Sequence, residues 1–589
     1  MSRRWLVPVV VAALTTVCFL PALSGSFLNW DDNVNFLDNP AYRGLGREQV
    51  HWAFTSVLFG HYIPLTRLTW SLNYVTGGLD PWGYHLLNLL LHAANTILFY
   101  VVARRLLAAA SNEGSQDGRD TPEFAAAAAM AALVFGVHPL RVEPVVWISA
   151  RPDLLCAMFV LVATWAYLHA VEGPGSARRG PLLVSVAALA AALLSKGVAV
   201  PFVAGLFLLD VYPLRRLARP GWAALLREKI PHLLVTLVGA GIIVHAVRHG
   251  AVLTGAADYG AGARLTVAVY SFVVTPVRFL WPAALSPLYE MPARVSLLEP
   301  RFGLAMGAAV IVTTLLIVLR RRWPAGLAAW AFSALMLAPM SAAVRRGVDL
   351  APDRYTYLAG MGFALLVGGA VLAGARLVRR GTLGHRGARA ATIAGVVAIV
   401  GLGATSWSFS EIWGESETLW RWAIEVDPTC STCHGKLGES ALTGGASVAR
   451  AGEAEGLFRR AIALRPDLPE PYFNLGTALA LQGRFAEAEA PLREYMERVP
   501  QVASGPERLG LVYLLQSQYE AAIPLLRNAL IRMPDAPGLR GYLVQALQGR
   551  ARELEAEGRG ADAEPLLAES RALGDNDAVV PPTRLGPLR

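Results

Sequence analysis

Apolar stretches of about 17 or more residues recur from the N-terminus to about residue 409 and then stop. Each matches the ~30 Å hydrocarbon layer that a helix must cross. Backbone polar groups cannot be left bare in lipid, so an all-α bundle is expected there. The remaining 180 residues need a different solvent.

Charge divides at the same place. Residues 1–410 carry 34 Lys/Arg and 19 Asp/Glu, whereas residues 411–589 carry 19 and 25. The basic excess therefore belongs to loops between apolar segments, a topology signal, and no nucleic-acid partner is expected. Trp5 to Leu23 is read as a retained first helix and not as a signal peptide. Placing the Arg-rich loops inside gives about eleven spans with a cytoplasmic N-terminus. The segment 265–281, which holds Pro276 and Arg278, is expected to be interfacial or re-entrant. This count puts the tail outside a cell (inner) membrane.

The tail repeats. Pro428, Pro466, Pro500 and Pro534 are 38, 34 and 34 residues apart, and Leu437, Leu475, Leu509 and Leu543 each follow nine residues later. Gly438, Gly476 and Gly510 come next, then Val544. A 34-residue period with a small residue in the first helix and Pro closing the second is the tetratricopeptide pattern. Such helix pairs stack into a superhelix with a concave, peptide-binding face. The expected domains are a membrane domain over 1–409, a repeat α-solenoid over 410–575 and a flexible tail over 576–589.

Several residues carry chemical potential. Asp31 and Asp32 follow the first span, where a carboxylate could act as a base or a pair could hold a divalent metal. A solvated turn is the plainer reading of the same pair. His61, Arg67 and Asn73 follow. His85, Asn88 and His92 share one helical face, pointing to a cavity or to a hydrogen-bonded helix interface. His138, Arg141, Glu143, Arg151 and Asp153 lie in one short loop. Arg151 could pair with Asp153, or Arg141 or Arg151 could grip a phosphate. Lys196 is one of three lysines beside fifty arginines, and it and Arg354 sit at outer span ends suited to a phosphate head group. Cys430 and Cys433, followed by His434, have haem c spacing; a local disulfide and free thiols are the alternatives, with free thiols expected.

In order, Trp30-Asp31-Asp32, Pro64 to Arg67, Leu72-Asn73-Tyr74, Gly83-Tyr84-His85 with Asn88 and His92, His138-Pro139 with Glu143, Arg151 and Asp153, and Ser195-Lys196-Gly197 resemble the transmembrane and tetratricopeptide-repeat O-mannosyltransferases. These are GT-C fold glycosyltransferases, and the chain looks like a bacterial relative. The resemblance implies a polyprenyl-phosphate sugar donor, an outer-side active site and a polypeptide acceptor. It also implies a base at Asp31 or Asp32. Lipid-phosphate or substrate contacts would fall to His61, Arg67, His85, His138, Glu143, Arg151, Lys196 and Arg354. The second acid is Asp where these relatives often have Glu, so the sugar is mannose or another. A non-catalytic membrane-anchored repeat scaffold for envelope assembly is the alternative.

Overall fold

A computed structural model describes residues 3–574 except 59, 112–120, 174–177, 219–220, 250–259, 341–347, 444–446, 535 and 537. The tail 576–589, most of the polar loop 111–123 and the end of the span 325–343 lie outside the described residues. The described chain is helical, with only isolated bridges such as Glu290 to Asp349. It divides into two compact units, Met1–Leu419 and Trp420–Arg589.

Among the described residues of the first unit, seven helices are long and apolar enough to cross a membrane, and an eighth if the pair Pro122–Gly136 and Pro139–Val146, bent by 59°, is one span. Four shorter apolar helices accompany them: Leu6–Cys18, Arg179–Ser195, Gly197–Val211 and Pro324–Leu337. The 17 residues of Arg179–Ser195 rise only about 26 Å at 1.5 Å per residue. Sequence counting merges such short helices with full spans, hence its larger total of about eleven.

The stretch expected to be interfacial or re-entrant is one unbroken helix, Ala261–Leu280, long and apolar enough to cross a membrane, which removes the re-entrant form and leaves the interfacial one. Its Arg278 argued against a crossing. That charge is neutralised locally, because Arg278 donates to Asp353 at 3.0 Å and to the Ala351 carbonyl at 2.5 Å. An arginine so paired no longer forbids a deep position.

The interior of this unit is held by polar side chains that the hydrophobic pattern marks as anomalies. His92 bridges the Tyr357 hydroxyl at 2.7 Å and the Gly136 carbonyl at 2.9 Å. Asn95 donates to the Leu154 carbonyl at 2.9 Å. Polar groups inside a bundle are tolerated when satisfied in this way.

Among its described residues the second unit contains four helix pairs: Ser431–Thr443 with Val448–Leu464, Glu470–Leu481 with Phe485–Arg498, Ser504–Leu515 with Tyr519–Arg532, and Leu539–Ala556 with Gly560–Leu573. Their apolar faces share one core, including Phe458, Phe473, Leu492, Leu509, Leu526 and Leu543. The glycine signal has a direct cause. A Cβ on Gly476 would stand 2.5 Å from Leu492 Cγ, and one on Gly438 2.6 Å from Phe458. Cys430 and Cys433 form a disulfide, which corrects the expectation of free thiols, and His434 Nδ1 is 2.9 Å from the Cys430 carbonyl oxygen.

Candidate active site

After the first helix and a short turn, Leu20–Ser24, the chain turns sharply at Asp31. Its φ of 70° lies in the left-handed region, which Asp and Asn enter more readily than other side-chain-bearing residues. The Asp31 carbonyl accepts from Asn35 N at 2.9 Å to start the next turn, Asn33–Leu37. This reversal sends the two neighbouring carboxylates opposite ways. Asp31 is exposed and Asp32 is fully buried.

Asp32 is occupied by the protein. Its Oδ2 accepts from Leu28 N at 3.0 Å, and its Oδ1 accepts from Ser149 N at 3.1 Å and Ser149 Oγ at 2.5 Å. Asn35 Nδ2 adds a bond to Ser149 Oγ at 2.9 Å. Burial nevertheless dominates and pushes the Asp32 carboxyl up to about 7, since a charge removed from water is disfavoured. Further bonds hold the loop: Ser26 Oγ donates to the Gly414 carbonyl at 3.0 Å and Asn29 N to Ser416 Oγ at 2.9 Å. Asp32 is thus a staple, and Asp31 is the acid the staple presents.

Trp147 connects this acid loop to a group of cations. Its Nε1 donates to the Trp30 carbonyl at 2.8 Å, one residue before Asp31. The Arg354 guanidinium carbon lies 5.3 Å from the Trp147 ring centre and 5.0 Å from that of Tyr355. Lys196 Nζ lies 5.8 Å from the same Tyr355 ring. Two cations therefore flank one tyrosine, in the cation–π range.

Each cation has a carboxylate partner. Lys196 bonds Asp153 Oδ2 at 2.5 Å. The Arg354 side chain bonds Glu143 Oε1, its backbone N donates to Glu143 Oε2 at 2.8 Å, and Asp349 lies 3.5 Å away. Behind them, Tyr289 OH donates to Asp353 Oδ2 at 3.1 Å. Burial lifts Asp349 and Asp353 each to about 7, against the lowering pull of Arg354 and Arg278 respectively.

The structure brings Glu143, Lys196 and Arg354 together and puts other candidates elsewhere. Arg151 does not pair with Asp153. It is fully buried and donates to Asn88 Oδ1 at 2.8 Å, Asn73 Oδ1 at 2.6 Å and the Tyr84 carbonyl at 3.0 Å. Arg67 is likewise buried, bonding the Ser56 carbonyl at 2.6 Å and the His61 carbonyl at 3.2 Å. Both guanidiniums, expected to meet a phosphate, work as internal braces: Arg151 ties the start of the Arg151–Glu172 helix to Asn73, Tyr84 and Asn88, and Arg67 ties the Pro64–Gly77 helix to Ser56 and His61. His138 stacks on Phe279 with 4.8 Å between ring centres, its Nε2 2.8 Å from the Phe279 carbonyl oxygen. His85 is buried against the Gly25 backbone, where a Cβ would stand 3.1 Å from Nε2. His61 is half-buried in a bridge with Leu58.

No group of three or more His, Cys, Asp or Glu side chains suited to a metal occurs among the described residues. With Asp32 committed to Leu28 and Ser149, a divalent ion at the acid pair would draw chiefly on Asp31. Sequence reading missed the roles of Ser149 and Trp147. Both lie inside the loop it singled out, between Glu143 and Arg151, but nothing in their spacing announces a long-range hydrogen bond. Asp349 and Asp353 were missed similarly, although Asp353 precedes the cation that was chosen.

Comparison with known proteins follows the same lines. The tetratricopeptide-repeat family profile matches residues 457–490. The human protein O-mannosyl-transferase TMTC4 is 35% identical over 170 residues, 27% of this chain and 22% of that protein. Protein O-mannosyl-transferase Tmtc3 of Drosophila melanogaster is 37% identical over 123 residues, 20% of this chain and 13% of that one. Over these segments the chain is similar to protein O-mannosyl-transferases. It matches about a fifth or less of the length of these two relatives. Among solved structures, ArnT from Cupriavidus metallidurans, bound to undecaprenyl phosphate, aligns over 85% of this chain and 81% of its own at 17% identity, with a TM-score of 0.35. The MamA protein aligns over 30% and 91% at 18% identity, with a TM-score of 0.23.

Proposed function

We propose that this chain is a membrane glycosyltransferase of the GT-C type, moving a sugar from a polyprenyl-phosphate donor to a polypeptide hydroxyl on the outer face. The observation that carries this reading is the pairing of an exposed acid with buried support: Asp31 follows Trp30, which Trp147 links to Arg354, and Arg354 shares the Tyr355 ring with Lys196. In the proposed step Asp31 takes the proton of the acceptor hydroxyl as its oxygen bonds the sugar's anomeric carbon. The bond from that carbon to the phosphate oxygen breaks, and the lipid phosphate leaves with the electron pair. Lys196 and Arg354 would stabilise the charge that develops there. A divalent ion, if bound at Asp31, would supply further charge neutralisation of the phosphate.

The relatives' names make mannose the first sugar to test and a protein the first acceptor class. The disulfide between Cys430 and Cys433 supports an oxidising, extracytoplasmic compartment for the repeats. Protein in lipid nanodiscs, given a polyprenyl-phosphate mannose and a Ser/Thr-rich polypeptide, is expected to yield a product heavier by one hexose. Asp31→Asn is expected to remove that product. Undiminished transfer by this variant would overturn the assignment. The scaffold alternative predicts no transfer from any lipid-phosphate sugar.

A further inference from the structure

The bent pair Pro122–Gly136 and Pro139–Val146 is a break within an apolar segment of the first unit. Such a break frees backbone groups and is tolerated where neighbours satisfy them. Here they do. The Gly136 carbonyl oxygen is 2.9 Å from His92 Nε2, Ser406 Oγ donates to the Val137 carbonyl at 2.7 Å, and Arg141 N donates to the His138 carbonyl at 2.8 Å.

What is left over is a side chain. Arg141 is fully buried, and its Nε, Nη1 and Nη2 all lack a hydrogen-bond acceptor among the described residues. The rings of Phe135 and Tyr357 lie 5.1 and 5.3 Å from its guanidinium carbon, within cation–π range. They favour the charge without accepting its N–H groups, since the Tyr357 hydroxyl is already bonded to His92 Nδ1 at 2.7 Å and Asn95 Nδ2 at 3.1 Å. Asp353 is within electrostatic reach of Arg141, but it is held by Arg278 at 3.0 Å and Tyr289 at 3.1 Å.

A buried guanidinium without a counter-charge is among the costliest things an interior can hold, and in native proteins it marks an ion or water. Water would take up the hydrogen bonds and leave the charge unopposed. The surroundings select a small anion. Phe135, Leu140, Val142 and Tyr357 are each at most 1% exposed, and a Cβ on Gly360 would stand 2.5 Å from Arg141 Nη2. A lipid phosphate, tethered to a long chain, would have to part these neighbours, and a dianion would overcompensate one cation. A guanidinium is weakly hydrated and pairs with an ion that gives up its water readily, as chloride does.

We infer that Arg141 holds a small monovalent anion, chloride in a chloride buffer, enclosed at the break of the bent helix pair. The ion balances the charge beside Glu143 and so steadies the turn that presents Glu143 to Arg354. This does not depend on sugar transfer, and it is tested without donor. Full-length protein in lipid nanodiscs is melted in chloride from about 1 to about 300 mM, with gluconate holding ionic strength constant. Stabilisation by a ligand of the folded state grows with the logarithm of its concentration above Kd. The melting temperature is therefore expected to rise with chloride, and gel filtration after loading with radioactive chloride should retain about one ion per chain.

Arg141→Met, which removes the charge and keeps an apolar stem, is expected to lose both the chloride-dependent shift and the retained ion. Arg141→Lys should keep part of each, and the wild-type titration and retention decide the matter even if a variant fails to fold. Equal melting in chloride and gluconate with no retained ion would overturn the inference, leaving water at the site. So would a chloride shift that survives Arg141→Met, or inorganic phosphate stabilising the protein more than chloride at matched ionic strength.

Discussion

Replacing Asp31 and Asp32 one at a time with asparagine separates two roles that adjacent positions would otherwise confuse. Asp31 is exposed and sits in left-handed backbone, a conformation Asn accepts as well as Asp. Its replacement is expected to change stability by less than about 0.5 kcal/mol, while kcat falls by roughly 10²–10⁴, the usual yield of a general base. Asp32→Asn acts the other way. The amide oxygen can still accept from Ser149, but the amide nitrogen then faces Leu28 N, a buried donor that loses its acceptor. That costs about 1–3 kcal/mol, read as a lower apparent melting temperature by tryptophan fluorescence, with kcat reduced much less than in Asp31→Asn. Asp32→Ala, which strips all three bonds, is expected to melt lower still. Should Asp32→Asn abolish turnover at an unchanged melting temperature while Asp31→Asn keeps its activity, the roles are reversed and the reasoning from burial fails.

Four further outcomes follow from the structure. Asp32, Asp349 and Asp353 are each lifted to about 7, against ~3.9 for an unfolded aspartate; the folded state then holds protons the unfolded state has lost, so stability declines as pH rises from about 4 to 7 and levels off above. Melting curves across that window should show a shallower decline in Asp32→Asn, and an unaltered slope would count against the burial argument. Lys196→Met leaves Asp153 charged and unpaired in a site where the two side chains are 11% and 5% exposed; a loss of about 3–5 kcal/mol is expected, and adding Asp153→Asn should recover the melting temperature but not the KM for a lipid-phosphate sugar. In the repeats, Gly476→Ala pushes a methyl against Leu492 and the Ala488 carbonyl, for a loss of about 1–3 kcal/mol. Gly452→Ala, with open space in a helix interior, should instead gain about 0.5–1 kcal/mol.

The architecture was legible where one physical constraint acts over many residues. A 34-residue period can be read because Gly438, Gly476 and Gly510 each meet a bulky side chain of the paired helix. Apolar length is readable for the same reason, though the bundle's short helices resist counting, because packing against neighbours can stand in for full crossing length. The candidate site was half legible. Residue type pointed to the acid pair and to Glu143, Lys196 and Arg354, but not to partnership. Nothing local says that Asp153 belongs to Lys196 and not to Arg151, a choice made by contacts 43 residues apart. Nor could spacing say which aspartate faces out. That is decided at one backbone angle, and by Ser149, 117 residues away.

In the proposed reaction the carboxylates beside the cations bear on turnover as well as folding. A lipid phosphate bound there as proposed has to compete with Asp153, Glu143 and Asp349, which hold Lys196 and Arg354. Unpaired cations buried to this depth would bind phosphate more tightly, and they would hold the product phosphate as firmly as the donor. Uniform binding of that kind lowers KM without raising kcat. Partnered cations give up tightness in the ground state yet remain placed for the charge that grows as the sugar–phosphate bond breaks. On this argument, neutralising Glu143 to Gln frees the Arg354 side chain from one competitor, and donor KM should fall. Product release should slow in the same variant, so kcat is expected to fall with it. A Glu143→Gln enzyme that gains affinity and turns over faster would show that release does not limit this site.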